Sequence, residues 1–325
     1  MASSRAGGSG GGASDSDSDS ENELDVAVEG AIDRFLRQRQ QRWQQAAVPR
    51  PIHRRHHVPW DHIAAHIRLY QDYFAPQPRF GDALFRQRFR MHRPLFMHIV
   101  GALERRYKYF RVREDAAGKP GHTPLQKCTA AIRQLAYGGP ADMFDEYLHI
   151  GKSSAVECLQ NFCAGVRVIF GDRYLRSLSP EDCQQLINMH GSVHGFPGML
   201  GSIDCIHWEW KNCPAVWKGI FTTGFKSKHP TMILEVVADY RLWICFVTNG
   251  HQNNMGYYLA DEICLNWLVF VKTIKHPIEQ KKSYFASRQE AARKDVERAF
   301  GVLQSRWAMV KGPSRMWYIP NIGDC

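Results

Sequence analysis

Apolar positions along this chain change period twice, and the changes divide it into parts. Phe85, Phe89, Phe96, Ile99, Val100 and Leu103 recur at three- and four-residue steps, which predicts one amphipathic helix over 85–103. Gly118-Lys-Pro-Gly121 breaks the chain after it. Leu125, Cys128, Ile132 and Leu135 mark a second helix, stopped by Gly138-Gly139-Pro140. A short piece from Ala141 to Leu148 ends at Gly151. A further helix is expected to open on a capping box, Ser154-Ala-Val-Glu157, with Cys158, Leu159, Phe162 and Val166 on one face. Another, from Pro180 to His190, leads to a different pattern. Met199-Leu-Gly-Ser-Ile-Asp-Cys-Ile-His-Trp-Glu-Trp210 is dense in β-branched and aromatic residues and follows Gly195, Pro197 and Gly198. That run predicts a strand.

Beyond Trp210 a polar stretch runs from Lys211 to His229. The runs 231–238 and 242–247 then form a hairpin pattern across Asp239-Tyr-Arg241. Tyr257 to Ala260 is a short strand ending at Asp261. From Ala286 to Trp307 the helical period returns, with Ala292, Val296, Ala299, Phe300, Leu303 and Trp307 inward. The pattern therefore predicts a helical module over 121–198 and an α/β domain over 199–325. Helix, short helix, turn, capped helix is the helix-turn-helix layout, and also that of any small helical bundle.

Composition adds the flanks. Residues 1 to about 24 are Gly/Ser-rich and then alternate Ser and Asp from Ser14 to Ser20, so a disordered acidic tail is expected over 1–30. A basic, helical region follows over 31–120. From Arg34 to Pro94 thirteen arginines and no lysines face only Asp61, Asp72 and Asp82, with aromatics between them. Arginine pairs bidentately with phosphate, so DNA is the leading partner, set against a merely solvated helical face. Arg54, Arg55, Arg86, Arg88 and Arg90 are the candidate contacts, with Ser154 at a helix N-terminus that would face phosphate. The net charge of +10 agrees with a polyanionic partner. His62 and His66 lie four apart, but with no third ligand they read as a surface pair. No run of eighteen apolar residues is present, so no membrane span is expected. Nine cysteines without a Cys-x-x-Cys pair suggest reduced thiols rather than disulfides or structural zinc.

Candidate chemistry lies in three carboxylates. An aspartate within a buried strand is costly unless paired, which singles out Asp204. With Asp261 ending a strand and Glu297 on the last helix, the chain has the layout that holds two divalent metals for phosphoryl transfer. The plainer readings are a turn or cap role for Asp204, and an ion pair of Glu297 with Arg293 or Lys294. Asp239 and Glu235 read as a turn aspartate and a solvent-face glutamate.

Three stretches carry a resemblance: Gly201-Ser-Ile-Asp-Cys-Ile-His-Trp-Glu-Trp-Lys-Asn-Cys-Pro214, Met255-Gly-Tyr-Tyr-Leu-Ala-Asp261, and Arg293-Lys-Asp-Val-Glu-Arg-Ala-Phe-Gly-Val-Leu-Gln-Ser-Arg-Trp307. Together they closely resemble the Harbinger-class plant transposon proteins, transposases and nucleases derived from them. The resemblance implies an RNase H-like mixed sheet with flanking helices, an α/β fold, preceded by an all-α helix-turn-helix-like module. It implies Mg²⁺- or Mn²⁺-dependent cleavage and strand transfer of DNA, a nuclear location and a nuclear DNA-binding partner protein. Asp204 carries over as the first catalytic aspartate and metal ligand, Glu297 as the glutamate, and Asp261 as the middle aspartate.

Against that pattern the domain is shortened. A Gly-Ser-(His/Asn)-Asp block is missing between hairpin and Tyr257, and the chain stops at Cys325, before an expected closing helix. In the RNase H strand order the link from third to fourth strand must cover a diagonal of about 25 Å. The nine residues from Thr248 to Gly256 reach at most about 30–32 Å. An extended crossing without a covering helix is therefore expected, leaving the sheet near Ile233, Val236 and Ile244 bare. A weak or dead nuclease follows from this. The alternatives are a catalytically inactive DNA- or chromatin-binding adaptor descended from a transposase, and a truncated relic without a stable fold.

Overall fold

The computed structural model describes residues 17–46, 60–222, 228–245, 256–261, 269–317 and 323. They fall into two units, 1–59 and 60–325. The first holds α1 (Asp17–Ala46), which reaches back into the stretch expected to be a disordered tail. From Glu21 to Gln45 the sequence has one glycine, no proline and many Ala, Glu, Gln, Leu and Arg residues, all good helix formers except that glycine. Arg54 and Arg55 lie outside the described residues.

The second unit begins with α2 (His62–Tyr73), capped by Asp61, whose carboxylate accepts from the Ile63 and Ala64 amides. The helix expected over 85–103 is in fact two, α3 (Asp82–Phe89) and α4 (Arg93–Arg106). Pro94 sits in the first turn of α4, where its missing N–H costs nothing but continuation from α3 is barred. Arg90 turns the chain in the left-handed region, at φ 60°. The apolar period survives the break because the helices fold back on each other. Phe85 and Phe89 stack at 4.2 Å, and Phe89 meets Phe96 at 4.9 Å.

Next come α5 (Pro124–Tyr137), the short α6 (Asp145–Leu148), α7 (Lys152–Tyr174) and α8 (Pro180–His194). Helix α5 stops at Gly138, as expected, with φ 61°. The capping boxes are at Thr123–Gln126 and Ser179–Asp182 rather than at Ser154. Gly151 is the N-cap of α7, and Ser154 is already inside its first turn, so the pattern from Ser154 to Glu157 marks helix, not helix start. His62 and His66 are not an open surface pair. His62 Nδ1 lies 3.1 Å from the Pro120 carbonyl and His66 Nδ1 3.0 Å from the Thr123 hydroxyl, holding the entry to α5.

The α/β part contains β1 (Met199–Glu209), α9 (Ala215–Phe221), β2 (Thr231–Ala238), β3 (Ile244–Cys245), β4 (Tyr257–Ala260), β5 (Phe270–Lys272), α10 (Gln280–Arg306) and α11 (Ala308–Lys311). Sheet order is β3-β2-β1-β4-β5. Strands β1, β2 and β3 are antiparallel neighbours, while β4 runs parallel to β1 and β5 parallel to β4. Strand β3 starts later than expected because Leu242, at φ 63°, belongs to the turn. Asp239 closes that turn by accepting from the Trp243 amide at 2.9 Å. Residues 246–255, which hold most of the short connection to β4, lie outside the described residues.

Side chains alternate across β1. Ser202, Asp204 and Ile206 face α10, where Ser202 Oγ donates to the Ala292 carbonyl at 3.2 Å and Ile206 joins Val236, Val296 and Phe300. Ile203 faces the other way, against Val237 and Ala260. The same alternation corrects the expectation of a bare sheet face. Val236 and Ile244 pack under α10, and only Ile233, on the opposite face, is exposed. Two tryptophans tie the end of β1 to the segment after α11: Trp208 Nε1 donates to the Gly312 carbonyl and Trp210 Nε1 to that of Met316. Met309 and Met316 pack on both this cluster and the helical core, joining the two parts.

Candidate catalytic site

Strand register sets the first two carboxylates side by side. Ile203 pairs with Ala260 between the parallel strands β1 and β4, so Asp204 and Asp261 are the next residues along each. Asp204 lies opposite Val236 in β2, on the face that α10 covers, and is half-buried. Its Oδ1 accepts from the Cys205 amide at 2.8 Å. Asp261 follows Leu259 by two residues and shares that face. Leu259 packs on Ala292 of α10, and Asp261 Oδ1 lies 3.7 Å from Arg293 Nη1.

Arg293 is the basic centre of this corner. It is 6% exposed and also pairs with Glu290 Oε2 at 3.2 Å. A buried guanidinium needs anionic partners, and these two carboxylates supply them. Glu290, Arg293 and Glu297 fall at i, i+3 and i+7, on one edge of α10. The opposite edge carries Arg288, which donates to the His194 carbonyl at 3.0 Å, and Asp295, 2.7 Å from His194 Nε2. One edge of α10 therefore looks toward Asp261 and its neighbour Asp204, and the other toward the C-terminus of α8. Glu297 is exposed on the first edge. Its expected partner Arg293 is taken by Asp261 and Glu290.

An all-carboxylate set suits Mg²⁺ or Mn²⁺, which prefer oxygen ligands. Asp204 and Asp261 fit such an ion in donor type and register. The three carboxylates are not gathered into one cluster: among the described residues no three His, Cys, Asp or Glu side chains are grouped closely enough to hold a metal. Asp239 is buried in its turn with Arg241 at 3.0 Å, and Glu235 is exposed, both as expected.

The arginines proposed for DNA divide. Arg86 is exposed. Arg88 is exposed too but donates to the Tyr137 hydroxyl at 3.2 Å, and Arg90 lies over the same ring at 5.7 Å. Arg88 and Arg90 thus also brace α3 against α5. Sequence reasoning missed Arg293 and Glu290 as an ion network, although their i, i+3 spacing signalled it. It also missed the His194–Asp295 pair, which no spacing could reveal, since 101 residues separate the two.

Comparison with known proteins decides the family. A model described as plant transposon protein matches residues 172–248 and 244–325. Residues 172–325 belong to the plant transposon protein family. The two pieces of the plant transposon match meet at 244–248, beside the short connection between β3 and β4. A second model, described only as a domain of unknown function, matches residues 66–104, from α2 into α4. No curated protein and no solved structure matches the chain.

Proposed function

We propose that this chain is a transposase-derived, divalent-metal-dependent DNA nuclease of the Harbinger class, built on an RNase H-like sheet. The observation that carries this reading is the parallel register of β1 and β4, which makes neighbours of Asp204 and Asp261 on the face covered by α10. The strand order β3-β2-β1-β4-β5, with its first three strands antiparallel, supports the fold part of it. Asp204 and Asp261 would hold Mg²⁺ or Mn²⁺, and Glu297 would complete the site from the edge of α10. A metal so bound supplies charge stabilisation and an activated water for attack on phosphate. The chain's own part is to fix the two aspartates by register and to bring DNA to them through exposed arginines such as Arg86, in the nucleus.

Arg293 favours a second reading, that of a DNA- or chromatin-binding adaptor without chemistry. Its guanidinium stands beside Asp261, where a bound cation would otherwise neutralise the carboxylate. One experiment separates the two. Purified chain is incubated with supercoiled plasmid and Mg²⁺ or Mn²⁺, beside D204N and E297Q. Metal-dependent nicking that both variants abolish supports the nuclease. Salt-sensitive DNA binding without nicking supports the adaptor. Thermal stabilisation by Mg²⁺ that D204A removes would place the ion at Asp204 independently of turnover.

A further inference from the structure

The helical part carries an open cleft of about 290 Å³ whose lining shares no residue with the carboxylate corner. Tyr73, Arg88, Arg133, Tyr137, Phe144 and Tyr147 line it. Arg133, on α5, is 7% exposed, and its buried Nε has no hydrogen-bond partner. Four rings surround its guanidinium: Tyr147 at 4.8 Å, Tyr73 at 5.5 Å, Phe89 at 5.7 Å and Phe144 at 5.8 Å. Rings attract a cation, but they do not replace hydrogen-bond acceptors for a desolvated guanidinium. Among the described residues no carboxylate comes within ion-pair distance of it.

A second guanidinium, Arg88, stands at the cleft's side with one hydrogen given to Tyr137. Asp72, bonded to the lining residue Tyr147, is already engaged. It accepts from the Tyr147 hydroxyl at 2.7 Å and lies 3.9 Å from Arg79. Among the described residues two cations therefore face a space lined by no carboxylate, and aromatic side chains provide most of the remaining wall. Phosphate suits the guanidiniums, which bind it with paired, charge-assisted hydrogen bonds. A planar base suits the rings, since stacking on aromatic side chains is how unpaired nucleotides are held. The volume is at the small end for ligand pockets, enough for one nucleotide and not for a duplex.

We propose that this cleft binds a single unpaired nucleotide, with its phosphate on Arg133 and Arg88 and its base against Tyr137, Phe144 or Tyr147. Choosing a nucleotide among phosphate-bearing ligands rests on the DNA-directed reading above. The preference for an anion rests on the cleft alone. Within a transposon protein, such a site would capture a base displaced from a DNA end, at residues other than the candidate carboxylates.

The test is equilibrium binding to the whole chain in EDTA, with dAMP, deoxyadenosine, inorganic phosphate and a short single-stranded oligonucleotide as probes. The expected result is saturable binding of dAMP at least about tenfold tighter than deoxyadenosine or phosphate, each tenfold being 1.4 kcal/mol. R88Q and R133M should each weaken dAMP binding by a similar factor. Oligonucleotide competing with dAMP would identify the source as a DNA strand, whereas dAMP bound without competition would identify a free mononucleotide. If R133M fails to fold, R88Q and the contrast between dAMP and deoxyadenosine still decide. Absence of saturable binding, equal affinity for dAMP, deoxyadenosine and phosphate, or wild-type affinity in R88Q overturns the proposal. D204N and E297Q leave the cleft intact and should bind dAMP normally, so a failed nuclease and a failed nucleotide site give different results.

Discussion

The helical half gathers twenty buried side chains into one cluster, from Leu69 and the Phe85–Phe89–Phe96 group through Ile132 to Phe162. Among the described residues the sheet half divides its buried side chains into five clusters, one of five, one of four and three of three, on both faces of a sheet with short outer strands. A contiguous core fixes many positions at once, because each side chain is held by several others. The divided one leaves the carboxylate corner to strand register and a few polar bonds. Ser202 to the Ala292 carbonyl, Gln289 to the Val271 carbonyl and Arg293 to Asp261 are the bonds that set α10 on the sheet there. Buried packing is concentrated in one half and the candidate carboxylates lie in the other, which is how sites that must admit a ligand are usually arranged.

Truncation in each half measures that difference most directly. Phe89→Ala removes a fully buried ring stacked on Phe85 and should cost about 3–5 kcal/mol in denaturant unfolding. Val296→Ala, under the sheet, removes two methyl groups from a fully buried site and should cost about 1.5 kcal/mol. Equal losses at the two positions would refute the contrast.

The seam between the halves should lie between these values. Gly138 ends α5 at φ 61°, and a Cβ there would stand 2.8 Å from the Ala308 carbonyl oxygen. Both the left-handed backbone and the fixed main chain opposite resist a side chain. Gly138→Ala should therefore cost about 2 kcal/mol or more. Its signature is loss of protection from amide exchange around Trp307 to Met316 before the helical core. Gly138→Ala with unchanged exchange there would show that α11 docks by its side chains alone.

Much of this arrangement was legible in the residues, and the exceptions have physical causes. Period alone located β1, β2, β4 and α8 closely, because burial on a face imposes it. It joined α3 to α4 because Phe85, Phe89 and Phe96 keep helical spacing across a break that Pro94 enforces. It placed the cap of α7 at Ser154 because Ser154 and Glu157 have capping-box spacing, whereas the N-cap is Gly151, which offers no side chain for a pattern to register. Strand β5 is three residues long, too short for alternation to register, although the apolar run from Trp267 to Val271 hinted at it. The site was legible only as separate carboxylates. Neighbourhood of Asp204 and Asp261 depends on parallel pairing across 57 residues, and the role of Arg293 on packing that no local pattern encodes.

The smallest expected effect concerns pH, and it also separates the halves. His122 lies in the helical half, where Nε2 donates to the His149 carbonyl at 3.0 Å and the ring stands 4.0 Å from that of His62. Burial pushes its pKa down to about 4, with the His149 carbonyl opposing and the His62, Lys127 and Lys119 charges assisting. In the unfolded chain it titrates near 6.5. Between these values the unfolded state takes up a proton that the folded state refuses, so stability falls as pH drops from about 6.5 to about 4 and levels off below. Partial exposure keeps the effect to a Tm change of a few degrees. His190, at the seam of α8 with β1, is also lowered by burial, and its Nε2 accepts from the Tyr240 amide, which requires the neutral ring. His122→Gln should remove part of the acid slope in Tm measured from pH 7 to pH 5, and His190→Gln another part. The His122 share should appear in exchange of the α2 and α5 amides, and the His190 share in that of β1. A slope untouched by either substitution would move the acid sensitivity away from both histidines.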